Sequence, residues 1–291
     1  MKSRYSVIKN KKFGFFQIKP TPSEEQVRKF YAKEFYSSKK FFNNSSLKVQ
    51  MSDKDFFDSR WKNMHSKFNL FLKKKDNISM LDVGCGWAQS LIYFKKKGYE
   101  CYGVDPSKEA IEYALKNKII AKQSYFEEVE IFGKKKFDII TLINVLEHLR
   151  DPIKALVQLK KLLKPGGVIL IDVPNDFNEF QIVGAKVHNL KNWWVAPPRH
   201  LNYFSNTTLC KVLKKLGYKV LLSEGSFPIE IFLLFNENYV LDQNLGKKCH
   251  KKRILFEKNL IKFGKENLLN NFYQSLAQLN LGRQISIYAK K

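Results

Sequence analysis

The sequence predicts an α/β fold, a mostly parallel sheet with helices on both faces. Three observations carry this prediction. From Ser79 onward, short apolar strands alternate with amphipathic helices, the order that winds a parallel sheet. Gly84-Cys85-Gly86 forms a glycine turn between the first of these strands and its helix, where backbone can approach a ligand closely. Lys164-Pro165-Gly166-Gly167 stops a helix just before another apolar strand. With 291 residues, 44% of them hydrophobic, the chain suffices for one large core, or for one α/β domain and a small accessory region.

The first 50 residues carry 12 Lys and Arg against three Glu and are rich in aromatics. Residues 1–50 are therefore expected as a separate basic, aromatic segment. Thr21-Pro22-Ser23-Glu24 has the spacing of a capping box, and Val27, Phe30, Tyr31, Phe35 and Tyr36 follow on one helical stripe. A second helix is expected from Ser52, with Asp55 at its third position. Phe56, Phe57, Trp61, Met64, Phe68 and Phe71 then recur every three or four residues. Aromatic stripes at this spacing predict packing.

Strands are expected at 79–83, 101–104, 118–122, 137–143 and 167–173, with helices near 88–97, 107–116 and 152–163 between them. A helix at 205–215 capped by Ser205, a strand at 218–223 and a last strand at 284–289 complete the core. Residues 225–281 are too long for a hairpin loop and predict a helical insertion or lid. The expected division is thus a core over 51–224, an insertion over 225–281 and a closing strand over 282–291.

The net charge of +25 makes a nucleic-acid or anionic-membrane partner the first to test. Only seven of the 52 basic residues are Arg, the side chain that reads phosphate and guanine in bidentate fashion. Lysine bias of composition therefore competes with a dedicated nucleic-acid surface. Cys85, Cys101, Cys210 and Cys249 have no CxxC spacing, which predicts neither a disulfide framework nor a zinc site but a reducing cytosol. No apolar run reaches the length of a membrane span or a signal peptide, so a soluble, cytoplasmic protein is expected.

A dinucleotide fingerprint counted from Gly84 requires glycine at position 89, where Gln89 stands. Asp82 precedes the first glycine by two, which suits a ligand carrying a cation near the loop. Asp105, in Gly103-Val104-Asp105, closes the second strand of the series, where a carboxylate can accept both hydroxyls of a ribose. Its alternative role is to cap the helix that starts at Pro106.

In this order the chain resembles the class I S-adenosylmethionine-dependent methyltransferases. The resemblance rests on Leu81-Asp82-Val83-Gly84-Cys85-Gly86, Gly103-Val104-Asp105, Phe137 to Ile140 running into Asn144-Val145-Leu146-Glu147-His148-Leu149, and Leu163-Lys164-Pro165-Gly166-Gly167. It covers about residues 79–175, with Ala88 replacing a glycine frequent in the family's loop. It implies a Rossmann-like sheet of seven strands, the last antiparallel. It also implies that Asp82 and Gly84, Cys85 and Gly86 hold the methionine portion of S-adenosyl-L-methionine, Asp105 the ribose, and Gln123 and Ser124 the adenine. Asn144 is expected to face the cofactor. The stretch from Pro197 to Ser205 and the following Leu-rich helix resemble the subgroup that methylates quinones and sugars, and Tyr5 to Tyr36 the leader of polysaccharide-associated members.

Methyl transfer to a hydroxyl requires alignment and removal of a proton. His148 and His200 are the candidate bases, since imidazole titrates near neutrality; structural roles at a helix start and in a loop are the alternatives. Quinone-pathway relatives hold a divalent metal with Glu-x-x-Glu-His. Asn144 stands at the first Glu here, so no metal is expected. Trp193, Trp194, Tyr203 and Phe204 are candidate walls of an acceptor pocket. His65, His188 and His250 are assigned to packing or surface. The expected function is O-methylation of a small molecule, an anionic sugar being favoured by the charge, in surface-polysaccharide or secondary metabolism. An RNA methyltransferase using the basic surface and a non-catalytic cofactor-binding protein are the alternatives.

Overall fold

The computed structural model describes residues 5–30, 47–73, 76–125 and 132–291. The chain opens with β1 (Ser6–Lys9), β2 (Phe16–Lys19), α1 (Glu24–Phe30), α2 (Leu47–Ser52) and α3 (Lys54–Phe71). The alternating part follows: β3 (Ser79–Val83), α4 (Gln89–Lys96), β4 (Glu100–Asp105), α5 (Lys108–Lys116), β5 (Ile120–Gln123), β6 (Phe137–Ile143), α6 (Pro152–Leu162) and β7 (Leu163–Pro174). Beyond it come α7 (Glu179–Val187), β8 (Asn202–Tyr203), α8 (Asn206–Lys215), β9 (Lys219–Gly225), α9 (Ile231–Leu234), α10 (Gln243–Lys262), α11 (Glu266–Gln278) and β10 (Gln284–Lys290).

Seven strands form one sheet in the order β5-β4-β3-β6-β7-β10-β9. β10 runs antiparallel between β7 and β9, and the pairs β5-β4, β4-β3, β3-β6 and β6-β7 are parallel. The expected Rossmann-like sheet with an antiparallel closing strand is therefore present. Side chains alternate across it. Leu81, Val104, Ile140, Leu142, Ile169 and Ile171 face one cluster with Leu156, Leu209 and Val212 of α6 and α8. Met80, Cys101, Ile139, Val168 and Leu170 face the other with Phe68, Leu91 and Ile111 of α3, α4 and α5.

The aromatic stripe of α3 packs as its spacing implies, with Trp61, Met64 and Phe68 buried. Asp53 stands at its N-cap position, and α2 precedes it directly. Lys67, on its buried face, pairs with Glu224 of β9. The capping box expected from Thr21 sits two residues later: the Gln26 amide donates to Ser23 Oγ, and the Ser23 amide to Gln26 Oε1. Tyr31, Phe35 and Tyr36 lie outside the described residues. β5 starts at Ile120 because Lys118 adopts φ 59°, a left-handed turn that ends the preceding helix.

A second sheet, β1-β2-β8, carries no signal in the apolar pattern. Its strands are four, four and two residues long, too short to show a period. It fixes the chain near residue 200 to the N-terminal hairpin, whose Phe13 and Phe15 are buried in the main core beside Phe204. Tyr203 and Phe204, considered above as pocket walls, are each 1% exposed and belong to the core. Tyr203 pairs with Phe16 of β2, and Phe204 bridges to Asn175.

Candidate active site

Parallel α/β sheets bind ligands outside the carboxyl ends of their strands. Here β3, β4, β5, β6 and β7 end at Val83, Asp105, Gln123, Ile143 and Pro174, and the polar groups singled out from the sequence lie at these ends or in the segments that follow them.

After β3, Gly84 and Gly86 adopt φ +72° and +48°, a region open to glycine without strain. A Cβ on Gly84 would stand 2.4 Å from Val145 Cγ2, whereas one on Gly86 would meet nothing within 4 Å. The two glycines therefore serve different ends. Gly84→Ala is expected to lower folding stability by about 2–4 kcal/mol, from left-handed strain and overpacking. Gly86→Ala should lower it by only about 1 kcal/mol yet weaken S-adenosylhomocysteine binding by about tenfold or more. Urea unfolding and calorimetry measure the two effects; an unchanged midpoint for Gly84→Ala would contradict the packing argument.

Asp82 is 3% exposed and closed in by neighbours. Register places Thr141 beside it, and its two carboxylate oxygens accept from Thr141 Oγ1 and Ser90 Oγ, each at 2.7 Å. Burial raises its pKa to about 6. In this position Asp82 fastens β3 to β6 and α4. Cys85 turns its side chain inward, where a Cβ on Gly103 would lie 2.8 Å from its sulfur. The Gly84 and Cys85 amides both donate to Val104 O.

Asp105 accepts from the Gly86 amide at 2.8 Å and the Ser107 amide at 2.9 Å, one on each oxygen. Ser107, not Asp105, caps α5 through the Ala110 amide. A carboxylate offers about four lone pairs, and this one stands at the carboxyl end of β4, 3% exposed. Gln123 lies opposite Asp105 in register, with its side chain on Pro106 O; Ser124 donates its amide to Asp105 O. Asn144, with φ 54°, sits exposed past β6 and accepts from Gln284 Nε2 at 2.7 Å. The open space beside Gly86 and the strand-end carboxylate of Asp105 suit an adenosine ligand.

The second half of the site assembles around the short 3₁₀ turn Leu146–His148. Leu201 donates its amide to Glu147 O, and Asn202 Nδ2 donates to Leu149 O at 2.7 Å, so β8 clamps this turn. The clamp brings the His148 and His200 rings to 5.1 Å. His148 Nδ1 lies 2.7 Å from Arg199 O. A carbonyl only accepts, so Nδ1 carries the proton and Nε2 is the basic nitrogen. Nε2 stands 3.7 Å from Glu147 Oε1. Burial lowers the His148 pKa to about 4 and drives that of Glu147 well above its ordinary value. His200 is lowered as well, by burial first and then by His148.

Residues the sequence reading left out extend this cluster. Asp176 Oδ2 lies 4.0 Å from His200 Nδ1, and Asp176 Oδ1 lies 3.8 Å from Arg283. Gln181 Nε2 reaches Asp176 at 3.3 Å, and Arg283 reaches Glu230 at 3.2 Å. Glu147 Oε1 and Oε2, Asp176 Oδ2, Gln181 Oε1 and Glu230 Oε2 are buried without a hydrogen-bond partner. Asp176 follows β7 by two residues, so its place at a carboxyl edge was a usable signal; Glu230 and Arg283 have none, because they arrive from the far side of β9 and β10. Among the described residues, Glu147, His148 and His200 form one group able to hold a metal ion, their ligand atoms all within 4.8 Å. His200 supplies a partner that the local motif lacks. Two imidazoles and one carboxylate are a poor match for oxygen-seeking Mg²⁺.

A family description for a methyltransferase domain matches residues 58–223, more than half of the chain. The chain belongs to that family. Its cofactor is S-adenosyl-L-methionine. Among relatives of this methyltransferase, a ubiquinone biosynthesis O-methyltransferase of Alkalilimnicola ehrlichii is 31% identical over 37% of this chain and 47% of its own length. A tRNA U34 carboxymethyltransferase of Idiomarina loihiensis is 27% identical over 56% of this chain and 53% of its own. The methyltransferase thus spans about half the length of each. A solved S-adenosylmethionine-dependent methyltransferase of Archaeoglobus fulgidus superposes over 84% of this chain and all of its own, with TM-score 0.52 at 18% identity. A plantazolicin methyltransferase crystallised with S-adenosylhomocysteine covers 92% of this chain and 98% of its own, with TM-score 0.56 at 17% identity. At these identities the two structures speak for the fold.

Proposed function

We propose that this methyltransferase transfers a methyl group to a hydroxyl of a small, polyhydroxylated acceptor, a sugar in surface-polysaccharide or secondary metabolism. One observation carries the reading: the partnerless buried atoms of the cluster are mostly acceptors. An unpaired buried polar atom costs about 1–3 kcal/mol, and Glu147, Asp176, Gln181 and Glu230 between them contribute five such oxygens. A ligand rich in O–H donors satisfies such a set; a flat, donor-poor ring does not.

When bound, S-adenosyl-L-methionine supplies a methyl group on a sulfonium. Asp105 holds the ribose, and the Gly84–Gly86 loop gives it room. His148 takes the acceptor's proton at Nε2, which faces the Glu147 carboxyl at 3.7 Å. His200 and Asp176 orient the acceptor. No resident metal is needed for this arrangement.

The names of the relatives supply the rivals, a quinone-type phenol and a tRNA. Turnover of the cofactor is expected on nucleotide-linked or free sugars, unchanged by a chelator, with little on catechols or transfer RNA. Faster turnover on a catechol, or loss of turnover on chelation, would overturn the acceptor class or the absence of a metal respectively.

A further inference from the structure

The net charge of +25 finds no use in the site described above. About a quarter of it lies on the α10–α11 hairpin. Residues 243–268 contain eight Lys and Arg against two Glu. Lys247, Lys251 and Lys262 are exposed and fall within about 60° of arc at 3.6 residues per turn, while Lys258 between them pairs with Asp55 of α3 at 3.1 Å. Cys249 is the one buried residue of α10.

Beside these lysines stand large apolar side chains in water. Leu255, Phe263 and Leu268 are 58%, 72% and 56% exposed. Phe263 and Leu268 flank the turn between the helices, with Lys262 and Lys265 next to them. On α11 the exposed Leu268, Phe272 and Leu279 share one stripe at spacings of four and seven. Phe272 packs on Phe256, and Phe256 on Phe227, with ring centres 5.9 and 5.5 Å apart, so the patch is continuous with the segment that carries Glu230 into the candidate acceptor site. Monomeric surfaces seldom leave large apolar groups clustered in this way unless they contact something.

We propose that the α10–α11 hairpin is a docking surface for an anionic lipid bilayer. Lysines beside exposed Phe and Leu match the two layers of such a bilayer: charge for the headgroups, apolar side chains for the acyl boundary. No described helix is long and apolar enough to cross a membrane, and the hairpin lies on the surface. A second copy of the chain would set one lysine stripe against another. Nucleic acid is a poorer match, because Leu255 and Leu268 have no ring to stack on bases. Arg253, the one guanidinium of α10, is turned inward to donate to His250 Nδ1 at 2.9 Å.

The full chain is floated with vesicles of phosphatidylcholine, with and without phosphatidylglycerol, at low and high salt. Binding is expected only to the anionic vesicles and to weaken as salt rises. Each lysine near the surface contributes a factor of about five in partitioning, so the combined Lys251→Glu, Lys262→Glu and Lys265→Glu substitution should lower binding by about a hundredfold or more. Phe263→Ser with Leu268→Ser should lower it several-fold at unchanged charge. Both variants alter exposed residues, and unchanged S-adenosylhomocysteine affinity confirms that each is folded. Equal binding to neutral vesicles, or anionic binding that both variants retain, overturns the proposal. So does a dimer in sedimentation that Phe263→Ser with Leu268→Ser dissolves, or RNA that binds more tightly than vesicles and displaces them.

Discussion

Asp105→Ala is expected to weaken S-adenosylhomocysteine binding by at least about a hundredfold in calorimetry. The carboxylate serves on two sides. Toward the protein it ties the Gly86 and Ser107 amides, and in the proposed function it accepts from the ribose diol of the cofactor. Hydrogen bonds to a charged group contribute about 1.5–3 kcal/mol each. Losing two at the ligand therefore exceeds the 2.7 kcal/mol or so that corresponds to a hundredfold. The substitution also leaves the Gly86 amide unpaired, so a smaller loss of folding stability should accompany it. Asp105→Asn keeps the shape and one acceptor oxygen, and its affinity should fall between the two. Affinity of Asp105→Ala within threefold of the parent, in a protein of unchanged circular dichroism, would remove the residue from the cofactor site.

His148→Ala should lower methyl transfer by about 10²–10⁴-fold, the usual worth of a positioned base, while cofactor affinity changes less than about threefold. The pH profile carries a second signature. A base must be unprotonated to act, and burial lowers the His148 pKa to about 4. The parent's rate should thus hold as pH falls through 6.5, where a solvated imidazole would already be protonated, and decline only as pH approaches about 4. An inflection near 6.5, or a His148→Ala variant with parental rate, would exclude His148 as the base. His200→Ala is expected to act mainly on the acceptor's KM, because His200 stands between His148 and Asp176.

These expectations draw on different depths of information. Asp105 was readable from three neighbouring letters, because a residue at the carboxyl edge of a parallel strand is placed by backbone topology alone. The same holds for Gly84, Gly86 and His148, each a step or two beyond a strand whose apolar run marks it. Asp82 illustrates the limit of such reading. Its position after an apolar strand suggested a ligand-facing charge, yet register with Thr141 and the approach of Ser90 enclose it. A hydrogen-bond partner 59 residues away in the chain leaves no trace in local pattern. The aromatic letters misled in a similar way: Tyr203 and Phe204 look like pocket walls until Tyr203 pairs with β2 and Phe204 bridges to Asn175, which bury both.

The sequence by itself determined the seven-stranded α/β sheet, the glycine loop and the strand-end place of Asp105, because periodicity and turn chemistry act over a few residues. Only the tertiary structure decided which distant groups meet. It closed His200 and Asp176 onto Glu147 and His148, brought Glu230 and Arg283 behind them, and left the α10–α11 lysines and phenylalanines facing water. These are contacts between residues 24 to 107 apart in the chain, set by how helices and strands pack, and packing is a property of the whole fold.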